Sequence, residues 1–169
     1  MTIMPLTPFH WGSALLLGFV FLGYLDLPTL ILSSVIIDVE PLLVLTLNLQ
    51  YPLHGYLHTF LGGTILAFVL ALAMSRVRGP LQPLMSFLKL PQKTSFKRIV
   101  SASLFGIYLH ILLDSPLYSD IRPFYPLELN PLLGHGMFVS FDIYTLCVLS
   151  FIGAAVVYAT RLVFLKRTR

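Results

Sequence analysis

The chain has 169 residues, of which 57% are hydrophobic and only 11% charged, with a mean hydropathy of +0.87. Soluble domains carry about a quarter charged residues, so a globule covered by water is excluded, and the length suits one domain rather than two with sizeable cores. The formal net charge of +4 would suggest a nucleic-acid partner in a soluble protein, but the position of the basic residues has a simpler explanation and no nucleic acid is expected.

Five apolar runs follow one another, at 12–25, 27–37, 60–74, 99–113 and 143–160. The last can span a bilayer as it stands, and 60–74 and 99–113 can do so with their flanking turns, because a helix rises about 1.5 Å per residue. The first run follows "TPFHWG", which places His10 at a helix start. No basic residue precedes it and no small-residue cleavage site follows, so it does not read as a signal peptide. Only Asp26-Leu27-Pro28 separates it from the second run. The pair reads as a helical hairpin or two shallow half-spans. The second run ends at "IIDVEP", with Asp38 and Glu40, and the third opens with "HGYLHT", with His54 and His58. The fourth closes on "HILLDS", with His110 and Asp114. A Pro- and aromatic-rich stretch then leads to the fifth, where Cys147 lies alone, so no internal disulfide can form. The expected fold is all-α: a polytopic integral membrane protein of about five helices, the first two short or half-spanning, in one membrane-embedded domain over 1–169.

Charge sets the expected topology. Arg76, Arg78, Lys89, Lys93, Lys97 and Arg98 cluster between the third and fourth runs, and Arg161, Lys166, Arg167 and Arg169 follow the fifth. Short positive loops stay cytoplasmic. The 76–98 loop and the C-terminus are therefore expected inside, and the 115–139 loop and the N-terminus outside, in a multi-pass protein of the cell membrane. Its segment "LQPLMSFLKLPQK" can lie along anionic headgroups or form a solvated linker. This topology delivers His10, Asp38, Glu40, His54, His58, His110 and Asp114 to one membrane face.

Ionisable groups inside a membrane segment are costly and are usually paired, functional or both. Residues four apart share a helix face, so His110 with Asp114, and His54 with His58 if a helix has begun by 54, can close on one ion. Imidazole with carboxylate and no thiolate suits a divalent metal, Zn most of all, with Mn or Fe also possible. Glu40 or His54 would then act as the catalytic base. His135 and Asp142, seven apart near the fifth run, are weaker ligand candidates. In the outer loop, Tyr118, Phe124 and Tyr125 suit interfacial anchors. Arg122 there is a candidate for binding a substrate phosphate, with an ion pair to Asp120 or Glu128 as the plainer role.

"MPLTPFHWG", "DVEP", "HGYLHT" and "HILLDSPLY…RPFYP" together resemble the membrane-bound metal-dependent hydrolase family, which includes LexA-regulated inner-membrane hydrolase-like proteins of bacteria. The similarity covers roughly residues 1–135 in order. That family is distantly similar to zinc-dependent phospholipase C and the S1-type nucleases. The resemblance implies that Asp38, His58, His110 and Asp114 hold one ion, with His10 sharing Asp114 with a second. The function expected is metal-dependent hydrolysis of a phosphoester, plausibly a lipid headgroup, at the extracytoplasmic face. The alternatives are a non-catalytic subunit of a larger membrane complex, and a protein that moves metal ions or protons.

Overall fold

The computed structural model describes residues 9–134 and 138–167. Among them the fold is all-helical, with seven helices: α1 (His10–Val20), α2 (Leu27–Ser33), α3 (Val39–Thr46), α4 (Phe60–Val77), α5 (Gln82–Phe87), α6 (Phe96–Asp114) and α7 (Phe138–Arg167). Two 3-10 turns, Ile36–Asp38 and Tyr56–His58, precede α3 and α4. Four stretches are long and apolar enough to cross a membrane: Leu27–Thr46, Phe60–Val77, Phe96–Asp114 and Phe141–Arg167. The chain is thus a multi-pass membrane protein. Helix α1, at 11 residues, extends only about 16 Å and cannot cross a hydrocarbon core of roughly 30 Å by itself.

Local chemistry sets the helix starts. Asp26 caps α2 by accepting from Thr29 N, with Pro28 in the first turn. Thr59 caps α4 through Gly62 N, and Ser95 caps α6 through Arg98 N. Each cap satisfies one of the N–H groups that a helix start leaves unpaired. The second segment differs from its expected ending at "IIDVEP". Pro41 lies in the first turn of α3, where a missing N–H costs nothing, so the chain starts a new helix there instead of stopping. The result is a discontinuous helix of 20 residues, two short halves joined by an irregular turn at Ser34–Asp38.

Packing brings α2 between α1 and α6, α4 against the other side of α6, and α7 along α1. Gly106 of α6 is required at the α2 crossing, since a Cβ there would collide with Ser33 Oγ and approach the Leu30 carbonyl. Ser33 Oγ donates across to Ala102 O at 3.1 Å, and Ser103 Oγ donates to Ala67 O at 2.8 Å. Small residues and hydroxyl bonds of this kind hold helices together where lipid removes the hydrophobic drive. Ile37, Ala67, Ile107 and Ile111 fill the centre. Large apolar side chains such as Ile65, Val69, Leu149, Ile152 and Val156 point outward, as acyl chains require.

One end of the bundle is fastened by a buried ion pair. Arg78, just past α4, places Nε 2.5 Å from Asp26 Oδ1, and both residues are 1% exposed. Gln92 ties down the same corner, donating to the carbonyls of Leu22 and Leu25 at 2.8 and 2.7 Å and accepting from Leu27 N at 3.0 Å. Asp26→Ala removes the helix cap and leaves a buried guanidinium without its counter-charge. A loss of about 3–5 kcal/mol is expected, measured as a lowered thermal midpoint in detergent, whereas Arg76→Ala on the exposed surface should change the midpoint little.

Candidate metal centre

The opposite end of the bundle gathers the polar residues of four segments. Asp38 comes from the 3-10 turn inside the broken helix, and His58 from the turn before α4. His110 and Asp114 come from the last turn and a half of α6, and His10 opens α1. One ligand atom each from Asp38, His58, His110 and Asp114 lies within 4.8 Å of all the others. His110 Nε2 is 3.1 Å from Asp114 Oδ2 and 3.2 Å from Asp38 Oδ1, and His58 Nε2 is 3.7 Å from Asp38 Oδ1. Ligands at about 2.0–2.1 Å from a tetrahedral ion are roughly 3.3 Å apart. The three measured separations bracket that value.

Tautomers explain why these atoms converge. His110 Nδ1 is 2.8 Å from the carbonyl of Ser34, which can only accept, so Nδ1 carries the hydrogen. In the neutral ring Nε2 is then a lone pair, and it faces two carboxylate oxygens. His58 repeats the arrangement, with Nδ1 2.8 Å from Glu40 Oε2 and Nε2 toward Asp38. Both Nε2 atoms are buried and lack a hydrogen-bond partner among the described residues. The His110 contacts have the distances of hydrogen bonds without their geometry, and the His58 contact is too long for one. Lone pairs and carboxylates repel one another in an apolar bundle unless positive charge lies between them. One divalent ion supplies that charge to both rings and both carboxylates together. The residues fit the group.

The surrounding shell is built to hold this arrangement. Ligand histidines commonly fix their other nitrogen on a carboxylate or a carbonyl, and Glu40 and Ser34 O serve here. Glu40 also accepts from Gly55 N at 3.0 Å and Leu57 N at 3.1 Å, so its carboxylate clamps the turn that carries His58. Gly62 lets that turn tuck under α4, since a Cβ would strike the Tyr56 carbonyl. The break after α2 leaves the Ser34 carbonyl free to receive His110. His10 adds a further contact, Nε2 to Asp114 Oδ1 at 3.2 Å, and its ring stacks 4.1 Å from that of His110.

His54 and His58 do not share a helix face, because α4 begins only at Phe60. His54 instead places Nδ1 3.1 Å from Asp120, and its backbone N–H donates to the same carboxylate. Its ring packs 4.7 Å from His58 and 4.3 Å from Tyr118. Burial holds the His54 imidazole below its ordinary pKa, helped by His58 and opposed by Asp120. Burial likewise lifts the Tyr118 phenol, and the Asp114 charge adds to the shift. His54 also lines a cleft of about 510 Å³ whose rim includes Tyr51, Tyr56, Tyr125, Asp120 and Arg122. Arg122 is half-exposed and pairs with Glu128 at 3.1 Å, a surface contact of little energetic weight.

The outer loop is fastened over this end. Phe60 N donates to Pro123 O at 2.8 Å, and Asn130 Nδ2 donates to Ser115 O and Tyr118 O. Phe124 packs 5.3 Å from Phe60, and Tyr125 5.2 Å from Tyr56. Asp142 is exposed on α7 and does not join the cluster; His135 lies outside the described residues. Sequence reasoning missed Asp120 as the partner of His54 and the Ser34 carbonyl as the partner of His110. A second acid in the loop was visible, but a backbone carbonyl leaves no trace in sequence.

No family model, curated protein or solved structure matches this chain.

Elemental analysis of protein purified in detergent with added Zn²⁺ should find a divalent metal in the wild type and none in an His110→Ala, Asp114→Ala variant. Glu40→Gln keeps a neutral acceptor beside His58 and should weaken metal affinity about 10- to 100-fold. Equal metal content in all three proteins would leave the histidines as helix packing.

Proposed function

We propose that the chain is a membrane-embedded metal-dependent hydrolase that cleaves a phosphoester, with a lipid headgroup as its substrate class. The observation that supports this reading is a shared wall: His54 separates a buried cluster suited to a metal from a cleft open to the outside. His and Asp ligands without thiolate suit zinc, with manganese or iron as alternatives. A divalent ion bound by Asp38, His58, His110 and Asp114 supplies a Lewis acid for a phosphoryl oxygen and acidifies nearby water.

The chain's own residues do the rest. Asp120 takes up Nδ1 of His54, which leaves Nε2 as the basic nitrogen of an imidazole that burial keeps neutral. Such a ring accepts a proton from water at the cleft and returns it to the leaving oxygen. Glu40 fixes His58 with both oxygens already engaged, so it acts as a positioning residue. Arg122 at the cleft rim offers a planar fork to a phosphate that displaces Glu128. Tyr51, Tyr56 and Tyr125 give the cleft the amphipathic lining typical of headgroup depth. The basic loop and C-terminus would lie in the cytoplasm by the positive-inside rule, which puts the cluster at the extracytoplasmic face.

Hydrolysis of phospholipids and model phosphodiesters by metal-loaded protein in mixed micelles tests this. His54→Ala should keep its metal and lose about 10²- to 10⁴-fold in kcat, and Asp120→Asn should lower kcat less. Turnover that persists in metal-free His110→Ala protein overturns the reading. Arg122→Ala should raise KM for anionic substrates several-fold at unchanged metal content; an unaltered KM removes Arg122 from the site.

A further inference from the structure

At the end of the bundle away from the histidines, a second cleft of about 430 Å³ lies between the turn that follows α5 and the last turns of α7. Lys89, Arg161 and Lys166 line it together with Leu162, Val163 and Leu165. Three cations thus face one cavity that also has an apolar side. Among the described residues no acidic side chain lines the cleft to balance them. Of the seven acidic residues, Asp38, Glu40 and Asp114 belong to the metal-centre end, Asp120 and Glu128 to the loop over it, and Asp142 to the first turns of α7. The seventh, Asp26, is taken by Arg78.

The cleft is held in shape. Tyr158 Oη donates to Leu88 O at 2.7 Å, and Arg161 Nε donates to Lys89 O at 3.3 Å, so α7 fastens the turn by two consecutive carbonyls. Lys89 itself has φ of 59°, a left-handed conformation that glycine or asparagine adopts at less cost. A lysine at that position places a cation at the cleft wall where a glycine would serve the turn better. Val163 and Phe164 on this part of α7 are exposed.

We infer that this cleft binds the phosphate of an anionic phospholipid headgroup, with the acyl chains lying along α7. Clustered Lys and Arg at the end of spanning helices complement such headgroups, each cation contributing attraction to the anionic surface. The guanidinium matches phosphate oxygens and the two ammonium groups neutralise its charge. The apolar lining distinguishes a lipid from a free anion, which would gain nothing from Leu162 and Leu165. This site is independent of the hydrolase reading and stands at the other membrane face from it.

The test uses the full chain in nanodiscs of phosphatidylcholine with or without phosphatidylglycerol, with retained lipid counted by native mass spectrometry. The wild type should retain phosphatidylglycerol selectively. Lys89→Gln/Arg161→Gln/Lys166→Gln should lose that selectivity by roughly a hundredfold, at about fivefold for each cation. The comparison variant Arg76→Gln/Lys97→Gln/Arg98→Gln removes equal charge from the same end outside the cleft and should lose distinctly less selectivity, through diffuse surface attraction alone. If the triple variant misfolds, Lys89→Gln/Lys166→Gln, confined to exposed side chains, should still lose about thirtyfold. Equal losses in the cleft and comparison variants would overturn the site in favour of diffuse surface charge. No preference in the wild type, or displacement of the lipid by inorganic phosphate at comparable concentration, would overturn the lipid assignment.

Discussion

The hydrogen on Nδ1 of His110 is fixed by a carbonyl that can do nothing but accept, and the structure of one end of the protein depends on that bond. In the neutral ring this leaves Nε2 as a lone pair beside Asp38 and Asp114, inside helices that exclude water. His58 is set in the same way by Glu40. Two imidazole lone pairs and two carboxylates so placed are stable only around positive charge. The arrangement therefore has the character of a binding site even before any reaction is considered.

The carbonyl in question exists because a helix is broken. A continuous second helix would bond the Ser34 carbonyl to the N–H of residue 38 and leave His110 without its acceptor. The interruption at Ser34–Asp38 frees it and turns Asp38 toward α6. Non-helical backbone within a membrane is tolerated where protein groups satisfy it, and here the satisfying group is His110 of the candidate cluster. Structural irregularity and chemistry share the same few residues. The close crossing at Gly106 brings α6 near enough for the bond to form.

The two ends of the bundle carry opposite electrostatics. Acids and histidines occupy one, under a loop fastened through Pro123 and Asn130. Bases gather at the other, where Asp26 is buried with Arg78 and where Lys89, Arg161 and Lys166 line a cleft. The lipid-facing middle is apolar throughout, and α7 presents most of its length to the bilayer. This division lets one chain present a polar cleft and a basic surface at opposite faces of the same membrane.

Much of this was legible in the sequence. Low charge and long apolar runs fixed an all-α membrane fold, because a bilayer admits only helices or closed barrels and the runs have helical length. His110 and Asp114 were readable as a pair from their spacing on one helix. Asp38, His58 and His10 were legible as candidates because ionisable groups in such surroundings need a reason. Only tertiary structure decided which of them meet. His54 shares the spacing of a ligand pair with His58 but turns to Asp120 across 66 residues, and Glu40 turns inward to clamp a loop. The break that frees the Ser34 carbonyl was hidden because Pro41 serves equally well to end a helix or to begin one. Spacing along one helix is local and can be read directly; the partner of a side chain across the bundle depends on how the helices cross.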